Sequence, residues 1–241
     1  MKINILVCDT FPGLLPEYIP SYPSMFTSLF DKQGKETEYK MYMTMEGELP
    51  KTIDPEAIYI VPGSNDGVYD DKPWIRDLLG WIRQANDSHA RMLGVCFGHQ
   101  AIAQALGGRV EKASVGWGIG ARKSKISGSE ALCHFPKGEM CLLYNHHDQV
   151  KEPPRGAFVF ASSPFCPIDG FMMGENILTF QGHPEYMSSY PVHLLMNFAG
   201  KEPKEVRMAA LKSIGAMSQQ GDEVARWVLE KWGKTSNKKP E

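Results

Sequence analysis

Short apolar runs recur along the first part of the chain and are separated by helical patterns. INILV (3–7) and AIYIV (57–61) are short apolar runs rich in β-branched residues, the pattern of strands that are buried on both faces of a parallel sheet, and MLGVC (92–96) ends in the same way. Residues 36–45 alternate in their later half and predict another strand. Apolar spacings typical of helices lie between these runs. We therefore predict four βα-type units before residue 108.

The second half of the chain has a different pattern. Gly107 and Gly108 end a helix predicted to begin near His99, and short strand-like pieces separated by Gly, Pro, Asn and Asp follow. These pieces are RVEK, ARKSKI, MCLLYN, AFVFAS and NILTFQG. Together the two halves predict an α/β fold of three layers, with a mostly parallel central sheet flanked by helices and an antiparallel β extension.

Helical patterns return after Tyr190 and continue almost to the C-terminus. We predict one main domain over residues 1–198. Residues 199–241 are predicted to form a C-terminal helical extension that ends in the polar tail KTSNKKPE.

Composition excludes several classes of function. The net charge is -2, and no basic run is interleaved with aromatic residues, so we expect no nucleic-acid partner. The first apolar run is too short for a signal peptide or a membrane span, which predicts a cytoplasmic protein without a membrane partner. The five cysteines include no CxxC pair, which argues against a disulfide framework and a zinc ribbon.

The stretch GVCFGHQ (94–100) places Cys96 where a strand turns directly into a helix. Flanking glycines remove Cβ atoms that would clash in so sharp a turn. The partial positive charge at the N-terminus of a helix stabilises a thiolate. The backbone N–H of Phe97 would point into the same space and serve an oxyanion. Cys96 is therefore either a nucleophile or a buried residue at a packing corner.

A candidate base lies in FQGHPEY (180–186), just after the apolar run ILTF. His183 would lie at the sheet edge where α/β proteins carry their active sites. Glu185 follows two residues later, and residues two apart on an extended chain face the same side. Its carboxylate can therefore hold the imidazole and set its tautomer. Cys96, His183 and Glu185 would form a nucleophile, a base and an orienting group.

The chain resembles the class I glutamine amidotransferases over residues 1–198. The resemblance lies in three blocks, which occur in the family's order: VPGSNDGVYDD (61–71), GVCFGHQ (94–100) with QALGG (104–108), and QGHPEY (181–186). The resemblance implies the family's flavodoxin-like fold and its Cys/His/Glu triad. Cys96 would attack a γ-glutamyl carbonyl to form a thioester, His183 would transfer the protons, and Glu185 would orient His183.

The resemblance also implies the remaining site residues. The N–H groups of Gly63 and Phe97 would form the oxyanion hole, and Gln100 would contact the substrate. The segment YNHHDQV (144–150) is similar to the loop that holds the α-amino and α-carboxylate groups. The candidates in this loop are Asn145, His146, His147 and Asp148. No further block offers matching metal ligands and no nucleotide-binding glycine pattern occurs, so we expect no metal and no other cofactor.

Three functions stay open at this point. The chain resembles the stand-alone branch of the family, which is similar to the amidotransferase half of GMP synthetase and includes γ-glutamyl peptidases. It would therefore be a glutaminase that supplies ammonia to a separate synthetase subunit, a γ-glutamyl peptidase that acts on glutathione-like compounds, or a non-catalytic binding module. VGWGIG (115–120) replaces a Gly-Glu pair of many synthetase-linked members and favours independent hydrolysis, whereas the likeness to a synthetase subunit favours partnership. The small-molecule substrate is glutamine or a γ-glutamyl compound.

Overall fold

The computed structural model describes residues 1–10, 15–197 and 202–233. The strands are β1 (Lys2–Val7), β2 (Glu38–Met43), β3 (Ile58–Val61), β4 (Arg91–Val95), β5 (Arg109–Lys112), β6 (Gly118–Ile126), β7 (Glu139–His146), β8 (Asp148–Glu152), β9 (Phe158–Ser162), β10 (Gly170–Met173) and β11 (Ile177–Phe180). The helices are α1 (Tyr22–Asp31), α2 (Pro73–Asp87), α3 (Phe97–Ala105), α4 (Ser129–His134), α5 (Ser189–Asn197), α6 (Lys204–Ala216) and α7 (Gly221–Trp232). Within these ranges no helix combines the length and apolarity needed to cross a membrane.

Nine strands form one sheet in the order β2-β1-β3-β4-β11-β10-β9-β6-β7. Neighbouring strands are parallel from β2 to β11. From β11 to β7 they are antiparallel. Strands β5 and β8 pair in a separate two-stranded sheet. The predicted α/β fold, a mostly parallel central sheet with an antiparallel extension, is confirmed.

The central strands are buried on both faces, which gives the predicted three layers. Ile58 and Ile60 belong to a core that also contains side chains of α1 and α7. Tyr59 and Val61, which alternate with them, belong to a second core with α2 and α3. The apolar run AIYIV is therefore continuous because each of its faces meets a helical layer.

The C-terminal helices pack onto this sheet. The ring of Trp227 in α7 lies 4.9 Å from that of Phe160 and 5.8 Å from that of Phe180. In α6, the Ser213 hydroxyl accepts the Ala121 amide of β6 at 3.0 Å. The boundary predicted between residues 198 and 199 and the polar tail from residue 234 lie outside the described residues.

Local details differ from the sequence prediction. Strand β2 is followed by a single 3-10 turn, Thr44–Glu46, rather than a helix. Gly47, Pro50 and Pro55 in this connection disfavour helix. Helix α3 begins at Phe97, two residues before the predicted start. Strands β8 and β10 and helix α4 were not predicted, because they are short and lack a clear apolar period.

Candidate active site

Cys96 lies between β4 and α3 in a strained backbone conformation. Its φ is 53° and its ψ is -104°, in a region that residues with a Cβ rarely adopt. Among the described residues, His89 is the only other non-glycine with a positive φ. The Cys96 amide donates to the Phe180 carbonyl of β11 at 2.8 Å and holds the turn in place. Such strain is commonly kept at functional sites.

The glycines beside Cys96 are required by close backbone contacts. A Cβ on Gly98 would lie 1.8 Å from the Val61 carbonyl oxygen of β3. A Cβ on Gly94 would lie 2.8 Å from the Gly98 carbonyl oxygen. The start of α3 is therefore pressed against β3 and β4, and only residues without a side chain fit there.

His183 and Glu185 follow β11, the strand that neighbours β4. The Nδ1 atom of His183 is 2.7 Å from Oε1 of Glu185, and both side chains are buried. The imidazole also stacks on the Tyr186 ring at 3.9 Å with an interplanar angle of 7°. The His183 amide donates to the Leu143 carbonyl of β7 at 2.7 Å. Ring and backbone are thus held from several sides.

The charge balance around His183 favours the imidazolium form. Burial alone would lower the pKa of His183, but the Glu185 carboxylate, which is hydrogen-bonded to the ring, and the negative charge of a Cys96 thiolate raise it to about 10. The imidazole therefore carries a proton at neutral pH and can give it to a leaving group.

This raised pKa makes the stability of the protein depend on pH. The unfolded histidine has a pKa near 6.5 and the folded one a pKa of about 10. Stabilisation from the His183 proton is therefore complete below pH 6.5 and is lost as the pH rises towards 10. We expect the difference in unfolding free energy between the wild type and His183→Gln to shrink over this interval, as measured by urea denaturation.

His99 provides the control for this measurement. It is also buried, but burial lowers its pKa to about 3. His99 is then neutral above pH 6.5 in both the folded and the unfolded protein. The difference in unfolding free energy between the wild type and His99→Gln therefore stays constant above this pH. If the wild type exceeds His183→Gln in unfolding free energy by an amount that stays constant or grows with pH, the raised pKa of His183 is contradicted.

Two glutamines connect Cys96 to the neighbouring strand ends. The amide of Gln181 donates to the Cys96 sulfur at 3.6 Å. The amide of Gln100 donates to the Gln181 side-chain oxygen at 3.1 Å and to the Asp148 carbonyl at 2.8 Å. Sequence reasoning did not single out Gln181, although its position two residues before His183 at a strand end was a usable signal.

The two predicted oxyanion-hole amides have different surroundings. Phe97 is the first residue of α3, so its N–H has no acceptor within the helix. The Gly63 N–H donates to the hydroxyl of Tyr22 at 2.7 Å. Tyr22 was not predicted as a site residue.

Cys96 and His183 open into one cavity of about 400 Å³. Tyr22, Tyr186 and Tyr190 line it together with the apolar side chains of Leu194 and Leu195. The other lining residues are Asp9, Gly63, Ser64, Asn65, Asn145 and Glu202. This volume is typical of sites for small molecules.

Of the predicted substrate-binding residues, Asn145 is the one that lines this cavity in the described part of the chain. His146 is buried and its Nδ1 lies 3.0 Å from the Asp148 carbonyl oxygen, while His147 stacks on Trp117. The Asp148 carboxylate accepts the Tyr69 hydroxyl at 2.9 Å.

Residues 144–150 are not a loop: β7 ends at His146 and β8 begins at Asp148. Gln100, His146 and Asp148 are thus not among the residues that line the cavity. In the described ranges, no group of three or more His, Cys, Asp or Glu side chains has the arrangement of a metal site.

A cysteine on a strained strand-to-helix turn, beside a histidine–carboxylate pair from the adjacent strand end, is the arrangement of α/β enzymes that use a nucleophile elbow. Comparison with known proteins specifies the family. Residues 18–200 match Glutamine amidotransferase class-I. The chain belongs to this family.

Relatives within the family differ in their named activities. Gamma-glutamyl peptidase 2 from Arabidopsis thaliana is 30% identical over 175 residues, which cover 70% of each chain. A glutamine-hydrolyzing GMP synthase from Bacillus pumilus is 30% identical over 187 residues, which cover 77% of this chain and 35% of that protein. The crystal structure of a glutamine amidotransferase from Methylobacillus flagellatus has the same fold, with a TM-score of 0.70 and 19% identity over 100% of this chain and 98% of that one.

Proposed function

We propose that the protein hydrolyses γ-glutamyl amide bonds through a thioester on Cys96. One observation carries this proposal: the strained Cys96 and His183 line the same cavity although they follow different strands, and His183 is paired with the buried Glu185. A non-catalytic binding module has no need for a strained cysteine or for a protonated histidine beside it.

The proposed reaction has two halves. The Cys96 sulfur attacks the γ-carbonyl carbon while the Phe97 amide stabilises the negative oxygen. The C–N bond then breaks and the leaving amine takes the proton from His183, which leaves a γ-glutamyl thioester. In the second half, His183 removes a proton from water, which attacks the thioester; the C–S bond breaks, glutamate is released, and the Cys96 thiolate and protonated His183 are restored. Glu185 keeps the imidazole oriented throughout.

We assign the substrate-binding residues to two roles. Asn145 lines the cavity and would contact the glutamyl group directly. Gln100, His146 and Asp148 would hold the cavity wall, since Gln100 and His146 both bond the Asp148 carbonyl oxygen. His147, stacked on Trp117, would limit the position of the segment after β7.

The cavity favours a leaving amine that is larger than ammonia. The leaving nitrogen must approach His183, whose ring stacks on Tyr186. Tyr190 and Leu194 line the same cavity, and a cavity of about 400 Å³ is larger than one glutamine molecule fills. An amine with an apolar portion would bury it against these side chains. This supports γ-glutamyl peptides over free glutamine, in line with the similarity to a γ-glutamyl peptidase along 70% of both chains.

The second candidate is a glutaminase that passes ammonia to a separate synthetase subunit. It is supported by the similarity to a glutamine-hydrolyzing GMP synthase, of which this chain spans 35%. In this case free glutamine would be the preferred substrate, and a partner would stimulate its hydrolysis.

A substrate panel distinguishes these functions. We expect kcat/KM for a γ-glutamyl dipeptide with an apolar second residue to exceed that for glutamine by about tenfold or more, because the apolar portion is buried. Release of glutamate, ammonia and free amine is measured for glutamine, glutathione and the dipeptide. Preference for glutamine would favour the glutaminase, and no release from any of the three would refute the hydrolase.

A further inference from the structure

The Gly63 amide, expected to bind the oxyanion, already has an acceptor. Its N–H donates to the Tyr22 hydroxyl at 2.7 Å in a buried contact. An amide N–H that is aimed at one oxygen cannot stabilise a second one at full strength, because its single hydrogen points one way. Either Tyr22 leaves when substrate binds, or it takes over the function of the amide.

Packing favours a tyrosine that stays in place. Its ring lies 5.8 Å from that of Phe26, 6.2 Å from that of Tyr186 and 6.3 Å from that of Tyr190, on which it stacks. The residue is 6% exposed, at the start of α1 beside Pro23. Moving the ring would break all these contacts and leave the Gly63 amide without its buried partner.

The hydroxyl keeps a proton to donate. The Tyr22 oxygen accepts the hydrogen bond from the Gly63 N–H on one lone pair. A phenolic hydroxyl can accept one hydrogen bond and donate another at the same time. Burial first, and then negative charge on Glu185, raises the pKa of Tyr22 well above its usual value, so the O–H stays intact over the working pH range. Donation from the amide also polarises the O–H and strengthens its own donation.

The hydroxyl is close to the reacting groups. A Cβ placed on Gly63 would lie 2.7 Å from Oη of Tyr22, 3.0 Å from Cε1 of His183 and 3.7 Å from Cβ of Cys96. The phenol, the imidazole and the nucleophile therefore surround the same small volume, where a carbonyl attacked by Cys96 would lie.

We propose that the Tyr22 hydroxyl, fixed by the Gly63 amide, is the second donor of the oxyanion hole. This inference rests on the proposed function. As the sulfur–carbon bond forms, the carbonyl electron pair moves to oxygen, which accepts the Tyr22 O–H and the Phe97 N–H. When the intermediate collapses, that pair re-forms the carbonyl, the C–N bond breaks and the amine takes its proton from His183. Tyr22 keeps its own proton throughout.

The test is Tyr22→Phe, which keeps the ring and removes only the hydroxyl. We expect kcat with the best γ-glutamyl substrate to fall about 10²–10³-fold with little change in KM, as when one oxyanion donor is lost. Tyr59→Phe is the matched control, because the Tyr59 hydroxyl also accepts a main-chain amide, that of Asp54, at 2.7 Å, far from the site. Tyr59→Phe should retain the wild-type kcat.

A transition-state analogue separates catalysis from structure. Glutamate γ-semialdehyde forms a thiohemiacetal with a thiol and presents an oxyanion. Its inhibition constant should rise in Tyr22→Phe by about the factor by which kcat/KM falls, while the affinity for glutamate stays unchanged.

Full or increased activity of Tyr22→Phe would overturn the inference and show that the hydroxyl only masks Gly63. A wild type that cleaves no γ-glutamyl compound would instead refute the proposed function, and the inference with it.

Discussion

Replacing Cys96 with serine is expected to lower kcat for γ-glutamyl hydrolysis by about 10⁴-fold or more, without loss of the fold. The residues of a nucleophile–base pair act as a unit, so losing one removes nearly all of their contribution. A serine hydroxyl is a much weaker nucleophile than a thiolate in the same place. Steady-state release of glutamate measures the effect, and circular dichroism and urea denaturation verify the fold.

The other four cysteines serve as controls for the assignment of Cys96 as the nucleophile. Cys133 is exposed, and Cys133→Ser should retain wild-type activity. Burial raises the pKa of the Cys8, Cys141 and Cys166 thiols, which makes them poor nucleophiles. A glutamine-derived diazoketone should therefore label Cys96 stoichiometrically. Label on another cysteine, or a fully active Cys96→Ser, would refute the site assignment.

The second large effect is expected on stability. Gly98→Ala would place a Cβ 1.8 Å from the Val61 carbonyl oxygen, and that oxygen belongs to the central strand β3. To relieve this steric clash, the start of α3 must move away from the sheet, because a backbone carbonyl cannot rotate aside as a side chain does. We expect the unfolding free energy to fall by about 4 kcal/mol or more, up to failure to fold.

Gly80→Ala is the matched control for this substitution. Gly80 lies inside α2, where a Cβ would meet only the end of the Arg83 side chain at 3.9 Å. The same change should stabilise the protein there by about 0.5–1 kcal/mol, since alanine is the better helix former. Urea denaturation of both variants is the measurement. A Gly98→Ala protein within about 1 kcal/mol of the wild type would show that the turn is not held by this contact.

Both predictions concern the same local structure, the glycine-flanked turn at Cys96. The glycines on either side of Cys96 let α3 start directly against β3 and β4, which brings the thiol to the helix N-terminus and leaves the Phe97 amide without a helical acceptor. The strain at Cys96 is retained because the strands on both sides fix the turn.

Much of this site was predictable from local patterns. The continuous apolar run AIYIV indicated a strand between two helical layers, and Gly94 and Gly98 indicated a sharp turn around Cys96. His183 and Glu185 were paired correctly, at 2.7 Å, because residues two apart at a strand end face the same way. The short strands β8 and β10 escaped prediction, since their pairing partners decide whether they form.

Features that depend on neighbouring residues could be predicted from the amino-acid sequence: the alternation of strands and helices, the glycine turn at Cys96 and the His183–Glu185 pair. The groups that surround the thiol could not, because they come from distant parts of the chain. Gln181 reaches Cys96 across 85 residues because the sheet places β11 beside β4. Tyr22, in the helix after β1, reaches Gly63 across 41 residues because β1 lies beside β3. Such contacts follow from the order of strands in the sheet, and no local pattern encodes that order.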